Sequence, residues 1–162
     1  MAQRKKAVLA NLEGVELLFR NFEGKEDKYN KAGDRNFCVR LTPEMAAEME
    51  RDGWNIKRRD PRDPDDDPLF YIPVKVSYAN IPPKVIVITK RNKKILSEDM
   101  LAMLDWAEIE TCDVILSAYD WTVNGESGRK AYLKSLYVTI VEDKFSEKYE
   151  DVPFAGEEYL EN

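Results

Sequence analysis

The chain has 162 residues, 43% hydrophobic and 35% charged, with a formal net charge of −6. That composition supports one core in one domain plus a tail, and no stretch approaches the roughly 18 apolar residues of a membrane span. There is no His, which excludes Ser/His and Cys/His catalysis, and any metal would have to rest on carboxylates alone.

The basic start, Met1 to Lys6, has no long apolar segment behind it and does not read as a signal peptide. Residues 7–22 read as an extended, bent segment. Val8, Ala10 and Leu12 alternate with other residues, Gly14 permits a bend, and Val15, Leu17 and Phe19 resume the period of two, which places Phe19 in the core. Residues 23–33 form a polar loop, and residues 35–41 a strand with Phe37, Val39 and Leu41 on one face. Thr42-Pro43-Glu44 starts a helix as N-cap, first-turn proline and acid at the positive end of the dipole, and Gly53 ends it. A short strand over 54–59 follows, then a proline- and aspartate-rich loop over 60–68. That loop lacks the spacing of a calcium loop and reads as solvated, with weak divalent binding the alternative.

Residues 69–78 alternate again, and 84–89 is apolar on both faces, as in a central strand. A basic turn over 90–94 leads to a helix capped by Ser97, with Met100, Met103, Leu104 and a further candidate, Trp106, facing inward. Two long strands, 112–123 and 129–141, are joined by a hairpin over 124–128. The count is six or seven strands in bent, antiparallel order with two short helices. The expected fold is mainly β: an OB-fold-like antiparallel barrel over 1–141 with an acidic tail over 142–162. Cys38 and Cys112 are isolated in sequence and read as buried free thiols.

Charge is split along the chain. Residues 1–94 carry 20 Lys+Arg against 15 Asp+Glu, and residues 95–162 carry 5 against 16. The basic part interleaves cations with rings, a pattern suited to single-stranded nucleic acid: phosphates need the cations, bases need a ring to stack on. The strongest stretch is Arg129 to Tyr137, where period two puts Lys130, Tyr132 and Lys134 on one face and Leu133 and Tyr137 on the other. The second is Arg20 and Phe22 with Lys25, Lys28 and Tyr29, where Phe22 and Tyr29 are the stacking candidates. Arg35 and Arg40 could reach a phosphate from the strand that holds Phe37. Trp54 and Lys57 form a fourth group, with Trp54 as core an equal alternative. Lys90, Arg91 and Lys93 form a dense cluster that a solvated turn explains equally well. Asp105, Glu108, Glu110 and Asp113 are close in sequence, but nothing places them around one metal, so a nuclease is not expected. No catalytic residue, cofactor or metal is expected.

The tail holds 8 acidic and 2 basic residues with Phe145, Tyr149, Phe154 and Tyr159 spaced along it. Spaced rings among acids suit docking on a partner, or folding back as a mimic of phosphate plus base.

Phe19-Arg-Asn-Phe22 with Gly24 and Tyr29, Arg35 to Val39, Asp52 to Asn55, Asn80 to Lys84, Leu104 to Ile109, and Lys130 to Lys134 with Tyr137 to Ile140 together resemble a known family. It is that of the small single-stranded DNA-binding proteins encoded by phages and prophages of actinobacterial and Gram-positive hosts. The resemblance runs over about residues 8–150. It implies an OB-like barrel, a role in phage DNA replication or recombination, single-stranded DNA as partner and the bacterial cytoplasm as location. The tail is similar to acidic tips that recruit replication enzymes, although Asp151-Val-Pro-Phe154 lies inside it and not at its terminus. The alternative is a phage-encoded protein that binds and blocks or recruits a host protein. Monomer and dimer both stay open.

Overall fold

The structure, a computed structural model, describes residues 8–79, 81–90 and 92–141. Nine strands are present among the described residues: β1 (Leu9–Leu12), β2 (Leu17–Asn21), β3 (Arg35–Leu41), β4 (Lys57–Arg59), β5 (Leu69–Val76), β6 (Lys84–Ile88), β7 (Lys93–Ile95), β8 (Ile109–Val123) and β9 (Glu126–Ile140). Helix α1 (Pro43–Arg51) follows β3, and a 3-10 helix (Glu98–Asp105) follows β7.

The main path of the sheet runs β1-β8-β9-β5-β3-β2, with β4 beside β5, β6 beside β9 and β7 beside β6. Its two ends, β1 and β2, are the arms of one bent segment, so the sheet curls back on itself as an OB-like fold requires. The bend sits at Gly14, whose φ of +59° favours glycine. Val15 N–H donates to the Cys112 carbonyl on β8 and Arg40 N–H to the Glu16 carbonyl, so the bend bonds to both flanks. The pairing is not wholly antiparallel: β9 runs parallel to both β5 and β6 along its second edge.

The core fills the inside of this curl. Phe37 and Val39 on β3, Ile72 and Val74 on β5, Leu116 on β8 and Leu136 and Val138 on β9 are fully or nearly fully buried. Val85, Ile86 and Val87 of β6 are all buried, as expected for a strand covered on both faces. Thr42 caps α1, its Oγ1 accepting from Met45 N–H at 3.1 Å. The 3-10 helix buries Leu101 and Leu104, residues three apart that align at three per turn. Trp106 lies past its end and is 79% exposed, against the inward placement expected from an α-helical period. Cys112 is buried and Cys38 half-buried, and burial pushes their thiols up to about 12 and about 11.

Three register shifts occur among the described residues, one near the start of β8 between Ile109 and Thr111, and two beside the aromatic residues of β2 and β9. On β2 the register slips between Leu18 and Asn21, and Phe19 adopts φ +51°. On β9 Ile115 faces Ser135 and Leu116 faces Leu133, so Lys134 has no opposite residue. The β8–β9 hairpin closes on Asn124 and Gly125 alone, with φ of +52° and +82°. This is the primed two-residue turn, tighter than the five-residue connection expected, and the strands lengthen accordingly.

Candidate nucleic-acid interface

Cross-strand partners share a face of a sheet, so the register defines the surface opposite the core. Arg40 on β3 lies beside Tyr71 on β5, and Tyr71 beside Lys57 on β4. Cys38 lies beside Pro73. Asn36 lies beside Lys75, Lys75 beside Tyr132 on β9, and Tyr132 beside Ser117 on β8. One step further, Lys130 lies beside Tyr119, and Gly128 beside Trp121. Phe19, turned outward by its bulge and 54% exposed, packs edge-on against Tyr71 at 5.6 Å between centroids. Tyr119 and Tyr132 meet edge-on at 5.9 Å, and Lys130 Nζ stands 5.6 Å from the Tyr132 ring. Six strands thus present rings and cations on one surface. Lys57, Lys75 and Lys130 have no ion pair among the described residues, and Arg40 has an exposed one with Glu16 at 3.2 Å.

Loop 23–34 borders this surface, and its shape is held internally. Asn21 Oδ1 accepts from Gly24 and Lys25 N–H at 3.1 and 2.9 Å. Gly33 N–H donates to the Gly24 carbonyl at 2.8 Å, and a Cβ on Gly24 would come within 3.0 Å of the Gly33 backbone. Asn30 Nδ2 reaches the carbonyls of Lys25, Lys31 and Asp34. The loop's start is clasped to the 3-10 helix in both directions. Asp105 accepts from Phe22 and Glu23 N–H at 2.5 and 3.0 Å, and Arg20 donates to the carbonyls of Leu104 and Ala107 at 2.9 and 2.8 Å.

Two clefts flank the loop. One, of about 520 Å³, lies among Phe19, Arg20, Asn21, Lys25, Tyr29 and Asp105. The other, of about 300 Å³, lies between the loop and the β8–β9 arm, among Asp34, Arg35, Asn55, Lys75, Trp121 and Lys130. Asn30 and Asn36 line both, so the clefts adjoin.

The residues singled out from sequence fall into distinct groups. Arg40, Lys57, Lys130 and Tyr132 lie on the ring-and-cation face, and Lys25 and Tyr29 in the adjoining cleft, Tyr29 being 90% exposed with Lys28 Nζ 5.6 Å from its ring. Arg20 and Arg35 line clefts, yet both also serve the fold: Arg35 donates to the Phe22 carbonyl and to Glu98, each within 3.0 Å. Lys134 is exposed at its bulge, and Lys90 and Lys93 sit on the β6–β7 hairpin, outside both clefts. Arg91 and the tail lie outside the described residues.

Two expected stacking rings are corrected. Phe22 is 0% exposed and stacks on Phe37 at 4.9 Å, because the β2 bulge exchanges the places of Phe19 and Phe22. Trp54 is 5% exposed, covered by the Arg129 guanidinium at 5.6 Å, which Asp120 anchors at 2.8 Å. That bond raises the Arg129 pKa further. Tyr137 is the third change: after the β9 bulge Leu133, Leu136 and Val138 face inward, so Tyr137 no longer shares a side with Leu133. Phe19, Tyr71, Lys75, Tyr119 and Trp121 were missed. Only the last two carried a sequence signal, the alternation of rings along the long strand before the hairpin.

Among the described residues no group of carboxylates and thiols converges to hold a metal ion, and no helix is long and apolar enough to cross a membrane. No curated protein matches the chain in sequence. Its fold is similar to that of the single-stranded DNA-binding protein from bacteriophage Enc34, with a TM-score of 0.52 at 10% identity, covering 92% of this chain and 97% of that one. The C-terminally truncated form of that protein gives 0.52 at 10% identity over 88% and 95%. Its complex with single-stranded DNA gives 0.50 at 11% identity over 90% and 96%. Residues 1–162 match the family described as "Putative phage ssDNA-binding domain". The chain therefore belongs to the phage single-stranded DNA-binding domain family.

Proposed function

We propose that the protein binds single-stranded DNA without catalysis, and does so in phage DNA replication or recombination inside the host cell. One observation carries this reading: the register gathers Arg40, Lys57, Lys75 and Lys130 with Phe19, Tyr71, Tyr132 and Tyr119 on one face. The ammonium and guanidinium groups displace counterions from phosphates, and the rings stack on bases. Family membership supports the same reading, and the Enc34 protein of similar fold binds single-stranded DNA. Lys25 and Tyr29 extend the contact into the cleft beside loop 23–34. Residues 142–162 act as a separate acidic unit that docks on replication or recombination proteins or competes for the groove. The net charge of −6 is no obstacle, since phosphates respond to the local field.

Fluorescence anisotropy with oligo-dT, at two salt concentrations and with a duplex control, tests the reading. Binding should favour the single strand by at least about tenfold and weaken steeply with salt. Equal, weak binding to both forms overturns it.

A further inference from the structure

We infer that the smaller cleft, between loop 23–34 and the β8–β9 arm, is a one-base pocket that favours a base with an exocyclic amine over thymine. The inference rests on the single-strand reading above and adds base preference to it.

Size comes first. A volume of about 300 Å³ is at the low end for small-molecule pockets, so one base fits and a stacked pair does not. A platform is present: Trp121 lines the cleft, is 38% exposed, and lies so close over Gly128 that a Cβ there would stand 2.6 Å from its ring. The backing on Gly128 leaves the indole a set position.

Donors and acceptors both line the pocket: the Arg35 guanidinium is engaged by the Phe22 carbonyl and Glu98, and two asparagines set an oriented acceptor. Asn30 spends its Nδ2 on three backbone carbonyls, which turns its Oδ1 towards Asn36. Asn36 Nδ2 then donates to Asn30 Oδ1 at 2.8 Å and to the Asp34 carbonyl at 3.3 Å. Both of its N–H groups are used, so its Oδ1 is left as an acceptor whose orientation two amides in series determine. Asp34 lines the same cleft, and a carboxylate accepts only.

Cytosine and adenine present an exocyclic amine to such acceptors, and guanine an amine beside a ring N–H. Thymine presents a single ring N–H between two carbonyl oxygens, which the acceptors repel. Lys75 and Lys130 also reach this cleft, but an ammonium on a flexible stem is a point charge that takes phosphate without fixing direction. They add affinity for every base alike.

The test compares oligo-dC with oligo-dT of equal length, two pyrimidines of like size that differ at this amine. The quantity read is the ratio of their dissociation constants, in the full-length protein and in Asp34→Asn and Asn36→Leu. Comparing ratios between variants cancels the different stiffness of the two homopolymers. Each variant should shift the ratio towards thymine by about fivefold, the low end for a polar contact to a base edge. The salt dependence of binding should stay as in the parent. Asp34→Asn keeps the side-chain shape and carries the test should Asn36→Leu disturb the loop. An unchanged ratio in both variants overturns the inference while leaving single-strand binding intact. Failure to bind either homopolymer better than duplex sinks the single-strand reading and this inference with it.

Discussion

Two basic regions of the molecule invite comparison. Lys90, Lys93 and Lys94 fall within five consecutive positions around the β6–β7 turn. Arg40, Lys57, Lys75 and Lys130 are spread over four strands and about ninety positions. Along the chain the first group is dense and the second scattered. In space the order reverses in what matters for a single strand. The hairpin lysines line neither cleft, and none of them has a cation–ring contact among the described residues. The dispersed cations are set by register beside Tyr71, Tyr132 and Tyr119. A phosphate chain responds to charge wherever it lies, but its bases need rings at the same place. Convergence of two chemistries, more than charge density, distinguishes the surfaces.

The largest expected effect breaks this comparison directly. The triple variant Lys57→Ala, Lys75→Ala, Lys130→Ala removes three cations that have no ion pair among the described residues. Oligo-dT affinity should fall on the order of 100-fold at low salt, and the log–log salt slope should shrink by about 2, at about 0.7 per phosphate contact on a single strand. Lys90→Ala, Lys93→Ala, Lys94→Ala removes as much charge and should cost less than about threefold. Equal losses in the two variants would show that only bulk charge matters, and the ring-and-cation face would lose its standing.

A second variant sharpens the ring side of the argument. Tyr132 has Lys75 and Ser117 as strand neighbours, Tyr119 edge-on and Lys130 beside it. Tyr132→Ala should weaken oligo-dT binding about tenfold, within the range for one stacked base, while Tyr132→Phe should change it little. The salt slope should stay constant in both, because no phosphate contact is lost. A matching loss in Tyr132→Phe would mean that the hydroxyl, not the stacking surface, makes the contact.

Much of the architecture was legible in the sequence. The bend at Gly14, the Thr42 cap, the doubly buried β6 and the long β8–β9 pair all follow from local patterns that tertiary structure leaves intact. The candidate site was legible only in part, and the misses share a cause. Period-two reasoning assumes an unbroken register, and the bulges on β2 and β9 break it beside aromatic residues. On β2 the slip sends Phe19 out and Phe22 in; on β9 it moves Tyr137 away from the side of Leu133. A bulge leaves no mark in composition, since it is determined by which residues the partner strand offers. Tyr71 and Lys75 were missed for a related reason. Each belongs to the site through neighbours on β3, β4 and β9, and no sequence window contains those neighbours. Trp54 was decided by Arg129, which lies 75 positions away and covers its ring.

The smallest expected effect concerns the arm, where the ring surface leaves the barrel. Trp121 owes its place to the absent side chain opposite: a Cβ on Gly128 would stand 2.6, 2.8 and 3.0 Å from three atoms of the indole. Gly128→Ala therefore cannot keep the ring where it is. The glycine is not held at a positive φ, so its backbone accepts alanine, and the indole is a mobile neighbour on an exposed arm. The ring should shift while the fold stays, with a melting temperature within about 2 °C of the parent, as for a surface change. Oligonucleotide affinity should fall about threefold, less than for deleting a ring, because a displaced indole still covers part of the base. Trp121 fluorescence cannot be isolated from the other two tryptophans by emission alone. Replacing Trp106, which is exposed and lines neither cleft, and Trp54 by Phe leaves one reporter. In that background, quenching by oligo-dT should be strong while Gly128 is kept and weaker once Gly128→Ala is added. Equal quenching in both would detach Trp121 from the strand's path and confine the interface to the barrel rings.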